Sequence, residues 1–207
     1  MIQITLNLIH RSALPAFLTA ACSLSSCSSL GHSSYSTNYD PPAHRPSGPS
    51  AVRVKVSTGK QAVYVMEGSR VLMATPCSVG TPDHPTPAGN FRVQAKTFDR
   101  RSHSFQDYPM PHWVEFAPAY GFHWGYLKPY PCTHGCIRLP KMAAAKLYNM
   151  VSLGTPVSIG RSQPEDAAVG ATLPVLDDTS LPNPPNSYMM SRQVFEDAKY
   201  KGPMFMD

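Results

Sequence analysis

The chain has 207 residues, with 18 Lys and Arg against 13 Asp and Glu and a formal net charge of +5. Charged residues make up 15%, apolar residues 42%, and there are 22 prolines. That is low charge and about twice the usual proline, yet enough apolar material for a core. Coiled coils, long helical bundles and polytopic membrane proteins are excluded, and no apolar run reaches the roughly 18–20 residues of a bilayer span. One sizeable domain with appendages fits the length.

Residues 1–27 read as an export signal. A lone Arg11 precedes a short apolar stretch that ends in small residues. Leu24-Ser25-Ser26-Cys27 resembles a bacterial lipobox and makes Cys27 the candidate lipidation site. Leu18 to Cys22 is a poorer match, and a plain cleaved signal is the alternative. A fully acylated Cys carries several chains and anchors firmly, whereas one chain binds only marginally. The expected location is the periplasm or cell envelope, with the chain held to a membrane.

Residues 28–50 are rich in Ser and Pro and read as a tether. Residues 51–160 then show strand periodicity. Val52, Val54 and Val56 alternate with Arg53, Lys55 and Ser57, which predicts a strand with one buried face. Gln61–Met66 and Val71–Met73 flank a Gly68 turn as a hairpin. The Pro-rich run from Thr81 to Gly89 cannot be helical. Phe91–Thr97, His112–Phe116 and Thr155–Ile159 predict further strands, and His84, His103 and His112 are placed on loops or edges. Pro140–Val151 is the one convincing helix, with Pro at its start, an Ala run, and Gly154 just past its end. The fold class is therefore mainly β, a sandwich or barrel of about 110 residues with one short helix. Residues 161–207 form a Pro-rich, low-complexity C-terminal extension, in which residues 188–200 predict a short helix.

Charge follows these boundaries. Residues 51–160 hold 12 Lys and Arg against 5 Asp and Glu, and residues 161–207 hold 4 against 7. A basic domain suits an anionic partner. The basic residues are scattered, without the aromatic-and-basic repeat of RNA-binding sheets, so nucleic acid is not an expected partner.

The chemistry concentrates between Phe122 and Leu139, where His123, Cys132, His134 and Cys136 lie among glycines. An imidazole beside a thiol takes its proton and makes a nucleophile at neutral pH. Cys136 precedes the predicted Pro140 helix, whose dipole and free N–H groups would favour a thiolate or an oxyanion. Thr133-His134-Gly135-Cys136-Ile137-Arg138, with His123 upstream, strongly resembles the signature of the L,D-transpeptidase catalytic domain, the YkuD family. Thr86-Pro87-Ala88-Gly89-Asn90-Phe91 and Ser78-Val79-Gly80 resemble two further pieces of that family, in the same order.

The resemblance implies a cysteine enzyme that needs no cofactor and acts on peptidoglycan stem peptides. Cys136 would attack the carbonyl after the third residue of a tetrapeptide stem and expel D-Ala. An acceptor amine would then take the acyl group from the thioester. His123 would be the base, His134 would shape the pocket, and the backbone N–H groups near Gly135 and Cys136 would bind the oxyanion. Arg138 would orient the loop or meet a substrate carboxylate, and Thr133 would hydrogen-bond inside the site. The spacing from His123 to Cys136 is short for the family, which keeps His134 open as an alternative base. Water as acceptor would make an L,D-carboxypeptidase, and a non-catalytic wall-binding lipoprotein is the other alternative. Cys132, His134 and Cys136 are too tightly spaced to share a zinc ion comfortably, so no metal is expected. Cys77 and Cys132 have no expected catalytic part, and oligomeric state is not legible.

Overall fold

A computed structural model describes residues 35–206, so the signal sequence and lipobox, Cys22 and Cys27 included, lie outside the described residues. Nine strands among these residues form two sheets. In the first, β1 (Val52–Ser57), β2 (Ala62–Glu67) and β3 (Arg70–Pro76) run as an antiparallel meander. The β2–β3 turn uses Gly68 at φ 59°, a conformation glycine adopts without steric cost. β4 (Gly89–Arg92) and β9 (Pro156–Gly160) complete the order β3-β2-β1-β9-β4. The second sheet contains β5 (Ala95–Arg101), β6 (Pro109–Ala117), β7 (Tyr120–Trp124) and β8 (Ile137–Leu139), in that order.

The core lies where Val54, Val56 and Val65 of one sheet meet Phe116, Phe122, Ile137 and Leu139 of the other. α1 (Lys141–Met150) follows β8 directly, with Pro140 in the N-cap position. Its Ala143, Ala144, Leu147 and Met150 join the same core. The fold is mainly β, in two sheets, with a short helix after the cysteine loop.

Three details differ from the sequence reading. The predicted strand Phe91–Thr97 is two strands in different sheets. Val93 N–H donates to Thr155 O and the next amide, Gln94 N–H, donates to Glu115 O, so each sheet claims one of two adjacent residues. His112 is neither on a loop nor on an edge. It is buried inside β6 at φ 57°, with its ring 4.9 Å from Phe98 and 5.6 Å from Tyr148. Burial pushes its pKa down to about 4, and the nearby Lys141 charge adds to that.

The third difference is in the flanking segments. From Tyr35 onward the expected tether lies against the domain: Ala43 is buried in the core and bridges Met73. The C-terminal extension is likewise packed, and forms α2 (Asn186–Met190) and α3 (Gln193–Ala198). Val169 and Leu173 cover Ala62, Tyr64 and Met66 on the outer face of β2, while Val194, Phe195 and Ala198 are buried. Asp178 fastens both segments. Its carboxylate accepts from Ser36 N–H, from Ser36 Oγ and from Leu127 N–H, three residues beyond Trp124. Proline and serine content predicted chains without partners; a few apolar and acidic residues in each segment were enough to dock them.

Candidate active site

The site is built on the outer face of β7 and β8. Phe122 pairs with Ile137 and His123 with Arg138. Side chains alternate along a strand, so Phe122 and Ile137 fill the core while His123 and Arg138 face the other way. Cys136 ends the loop before β8, and its Sγ donates to the Ala119 carbonyl at 3.8 Å, at the entry to β7. His123, Cys136 and Arg138 are thus brought together at one end of one sheet.

The loop that presents Cys136 is held by short-range chemistry. Thr133 is buried; its Oγ1 accepts from Gly135 N–H at 3.1 Å and donates to Cys136 O at 2.6 Å. Gly135 sits at φ 104°, and a Cβ there would lie 2.4 Å from Tyr120 Cε1. Only glycine fits both demands. The loop is braced from outside by residues 77–81. Ser78 and Arg138 exchange backbone hydrogen bonds, Cys132 N–H and Thr133 N–H both donate to Val79 O, and Thr81 N–H donates to Thr133 O.

His123 is buried, and its Nδ1 lies 2.7 Å from the Trp124 carbonyl. That contact assigns the proton to Nδ1 and leaves the Nε2 lone pair to accept one. The ring stacks beside buried Trp113 at 6.2 Å, and Trp113 in turn lies over Gly121, where a Cβ would meet its ring at 2.8 Å. Burial, aided by the Arg138 charge, lowers the His123 pKa to about 3, so its imidazole is neutral at all ordinary pH values. Burial also raises the Cys136 thiol, opposed in part by the Gly121 N–H and by Arg138. The resting pair is a neutral thiol and a neutral imidazole, with no hydrogen bond between them.

Arg138 has no carboxylate partner among the described residues, and its buried Nε makes no hydrogen bond. Its stem crosses Gly125, where a Cβ would lie 3.0 Å from Arg138 Cδ. His134, the second motif histidine, is on the exposed rim. It packs between His84 at 4.9 Å and Phe105 at 4.4 Å and makes no hydrogen bond to the sulfur.

Two expectations are corrected by this geometry. The Gly135 N–H is tied to Thr133, so of the two amides at Gly135 and Cys136 only that of Cys136 has no acceptor among the described residues. The α1 dipole does not reach Cys136, because β8 is extended between them. At about 3.3 Å per residue that separation is on the order of 10 Å, beyond the first-turn range of the effect. Cys77, buried, and Cys132, half-buried, are both free thiols, and Cys132 lies close enough to raise the Cys77 pKa further. Among the described residues, no three His, Cys, Asp or Glu side chains are placed to share a metal ion.

The sequence reading missed two residues. Gly121 opens the space for Trp113, and its N–H lowers the Cys136 thiol pKa, against the effect of burial. Thr86 donates to Gly135 O at 2.9 Å from a turn 49 residues upstream. The Thr-Pro-x-Gly motif flagged that turn without suggesting its contact.

The chain belongs to the L,D-transpeptidase catalytic-domain family (YkuD), whose match runs over residues 51–159. Solved structures agree in fold. An L,D-transpeptidase from Stackebrandtia nassauensis is 22% identical, over 59% of this chain and 60% of that one, with a TM-score of 0.51. One from Xylanimonas cellulosilytica is 24% identical, over 56% and 63%, with a TM-score of 0.50. The chain thus spans about three-fifths of these relatives' length. No curated protein matches it.

Proposed function

We propose that this protein is a cysteine-dependent L,D-transpeptidase acting on peptidoglycan tetrapeptide stems. One observation carries the reading: Cys136 shares a sheet face with a neutral His123 and a cation, Arg138, and among the described residues the Cys136 N–H has no acceptor and Arg138 no carboxylate partner. The Cys136 thiol gives its proton to His123 Nε2 as sulfur bonds to the carbonyl carbon after the third stem residue. The oxygen becomes an oxyanion and is stabilised by the Cys136 N–H. Collapse breaks the C–N bond, and His123 returns the proton to the departing D-Ala amine. An acceptor amine then attacks the thioester, gives its proton to His123, and the thiol re-forms as the new amide leaves. Arg138 meets a stem carboxylate.

Incubation with disaccharide-tetrapeptides, read by mass spectrometry, should show D-Ala release and cross-linked dimers. Trimmed tripeptides alone would assign the acceptor to water and the activity to L,D-carboxypeptidation. Cys136→Ala should abolish both products and any carbapenem adduct while leaving the fold intact; D-Ala release at the parental rate would overturn the mechanism.

The location proposed with this activity is the cell envelope, with a lipid anchor on Cys27. A metabolic fatty-acid label should mark the full chain and disappear in Cys27→Ser. Label lost only in Cys22→Ser would move the anchor, and no label at all would leave plain secretion.

A further inference from the structure

Gly135 and Cys136 together carry four backbone polar groups, and the structure ties three of them. Thr133 Oγ1 takes the Gly135 N–H and binds the Cys136 C=O. The Gly135 C=O accepts from Thr86 Oγ1 at 2.9 Å. The fourth, the Cys136 N–H, is left without a partner among the described residues.

The trans peptide between Gly135 and Cys136 is planar, so its C=O and N–H point in opposite directions. Whatever holds the Gly135 oxygen therefore aims the Cys136 N–H. Thr86 can do this with a single orientation. Its hydroxyl accepts from Gly80 N–H at 2.9 Å, which turns its one proton toward Gly135. Thr86 is only 8% exposed, so water competes weakly for either contact. The backbone approaches closely here: a Cβ on Gly80 would lie 2.1 Å from His84 O and 2.6 Å from Thr86 N. The need for such a constraint is local. Gly135 has no Cβ to resist rotation, and at φ 104° its peptide plane is free to turn unless held.

We propose that Thr86 is a positioning residue for the oxyanion site, fixing the Gly135–Cys136 peptide so that the Cys136 N–H faces the developing negative charge. This rests on Cys136 being the nucleophile, and the test separates the two claims. Acylation of Cys136 by a carbapenem passes through a tetrahedral oxyanion. Alkylation of the same sulfur by iodoacetamide displaces iodide at a saturated carbon and forms none. In the full chain, Thr86→Val should slow acylation by about 10- to 10³-fold, up to the loss expected for one oxyanion donor. Alkylation should stay within about twofold, and Thr86→Ser, which keeps the hydroxyl, should recover most of the acylation rate. If Val destabilises the turn, Thr86→Ala gives the same comparison. Acylation at the parental rate in Thr86→Val, equal loss of both rates, or a serine variant as slow as valine would overturn the proposal. A parent protein that is alkylated but never acylated at Cys136 would overturn the transpeptidase reading itself, and this inference with it.

Discussion

At Cys136 and His123, burial acts on both partners in the direction that keeps each neutral. The thiol is raised above its ordinary value and the imidazole is lowered to about 3. An ionic pair would require the reverse, with Cys below and His above its free value. The sign of both shifts fixes an expected pH profile. Iodoacetamide consumes thiolate, so its rate at Cys136 should climb with pH through 7 to 9 without levelling off. In the proposed mechanism carbapenem acylation uses His123 as a base during attack, and His123 is already neutral above about pH 5. Its rate should be level from pH 5 to 8, with no limb near 6.5. A plateau of alkylation below pH 7 would show a resting thiolate instead. His123→Ala should lose on the order of 10² to 10⁴ in acylation, and His134→Ala far less, since that ring lies on the rim between His84 and Phe105. A larger loss at His134 would transfer the base role to it.

At the scale of elements, the site is a loop clamped between two neighbours. The Ser78–Thr81 segment binds one side of residues 132–138, and β7 pairs with β8 on the other. Gly135 is where these constraints meet. Gly135→Ala adds a Cβ against Tyr120 and forces a non-glycine residue to φ 104°. Such strain costs about 1–3 kcal/mol, or a fall in melting temperature of roughly 2–12 °C at this size, and acylation should drop at least tenfold. Gly68→Ala is the comparison: φ is 59°, nothing lies within 4 Å, and only stability should fall. Thermal scans and acylation rates on the two variants check this. Parental acylation in Gly135→Ala would mean the loop adapts.

For the whole molecule, the segments flanking residues 51–160 are structural layers. Without residues 161–206, Ala62, Tyr64 and Met66 on the outer face of β2 lose their cover. Each large side chain so exposed forfeits about 1.5–3 kcal/mol, against a total stability of only about 5–15. A chain ending at residue 160 should aggregate or melt without cooperativity. Asp178→Ala is the milder test, since it leaves Ser36 and Leu127 donors unsatisfied. It should lower the melting temperature by at least about 5 °C. A soluble, cooperative chain ending at residue 160 with the parental melting temperature would show that residues 161–206 are not needed for the fold.

What was legible in the sequence is what depends on short spacing. The alternation of Val52, Val54 and Val56 placed β1, Pro140 placed the start of α1, and the Thr133–Arg138 run marked the cysteine loop. β2, Ala-Val-Tyr-Val-Met-Glu, does not alternate, because it is covered on both faces and apolar residues are favoured at every position. On the outer face much of that cover is Val169 and Leu173, more than 100 positions away, in a segment whose composition alone reads as unstructured. Distance along the chain likewise hid Thr86, whose hydroxyl meets Gly135, 49 residues on, only after the sheets have packed, and tertiary burial against Trp113 and Arg138 hid the neutrality of His123. Residue types and local backbone preferences are carried by a few neighbouring positions. Burial, the direction of a peptide plane and the protonation of a histidine depend on what distant segments bring alongside, and only the tertiary structure decides them.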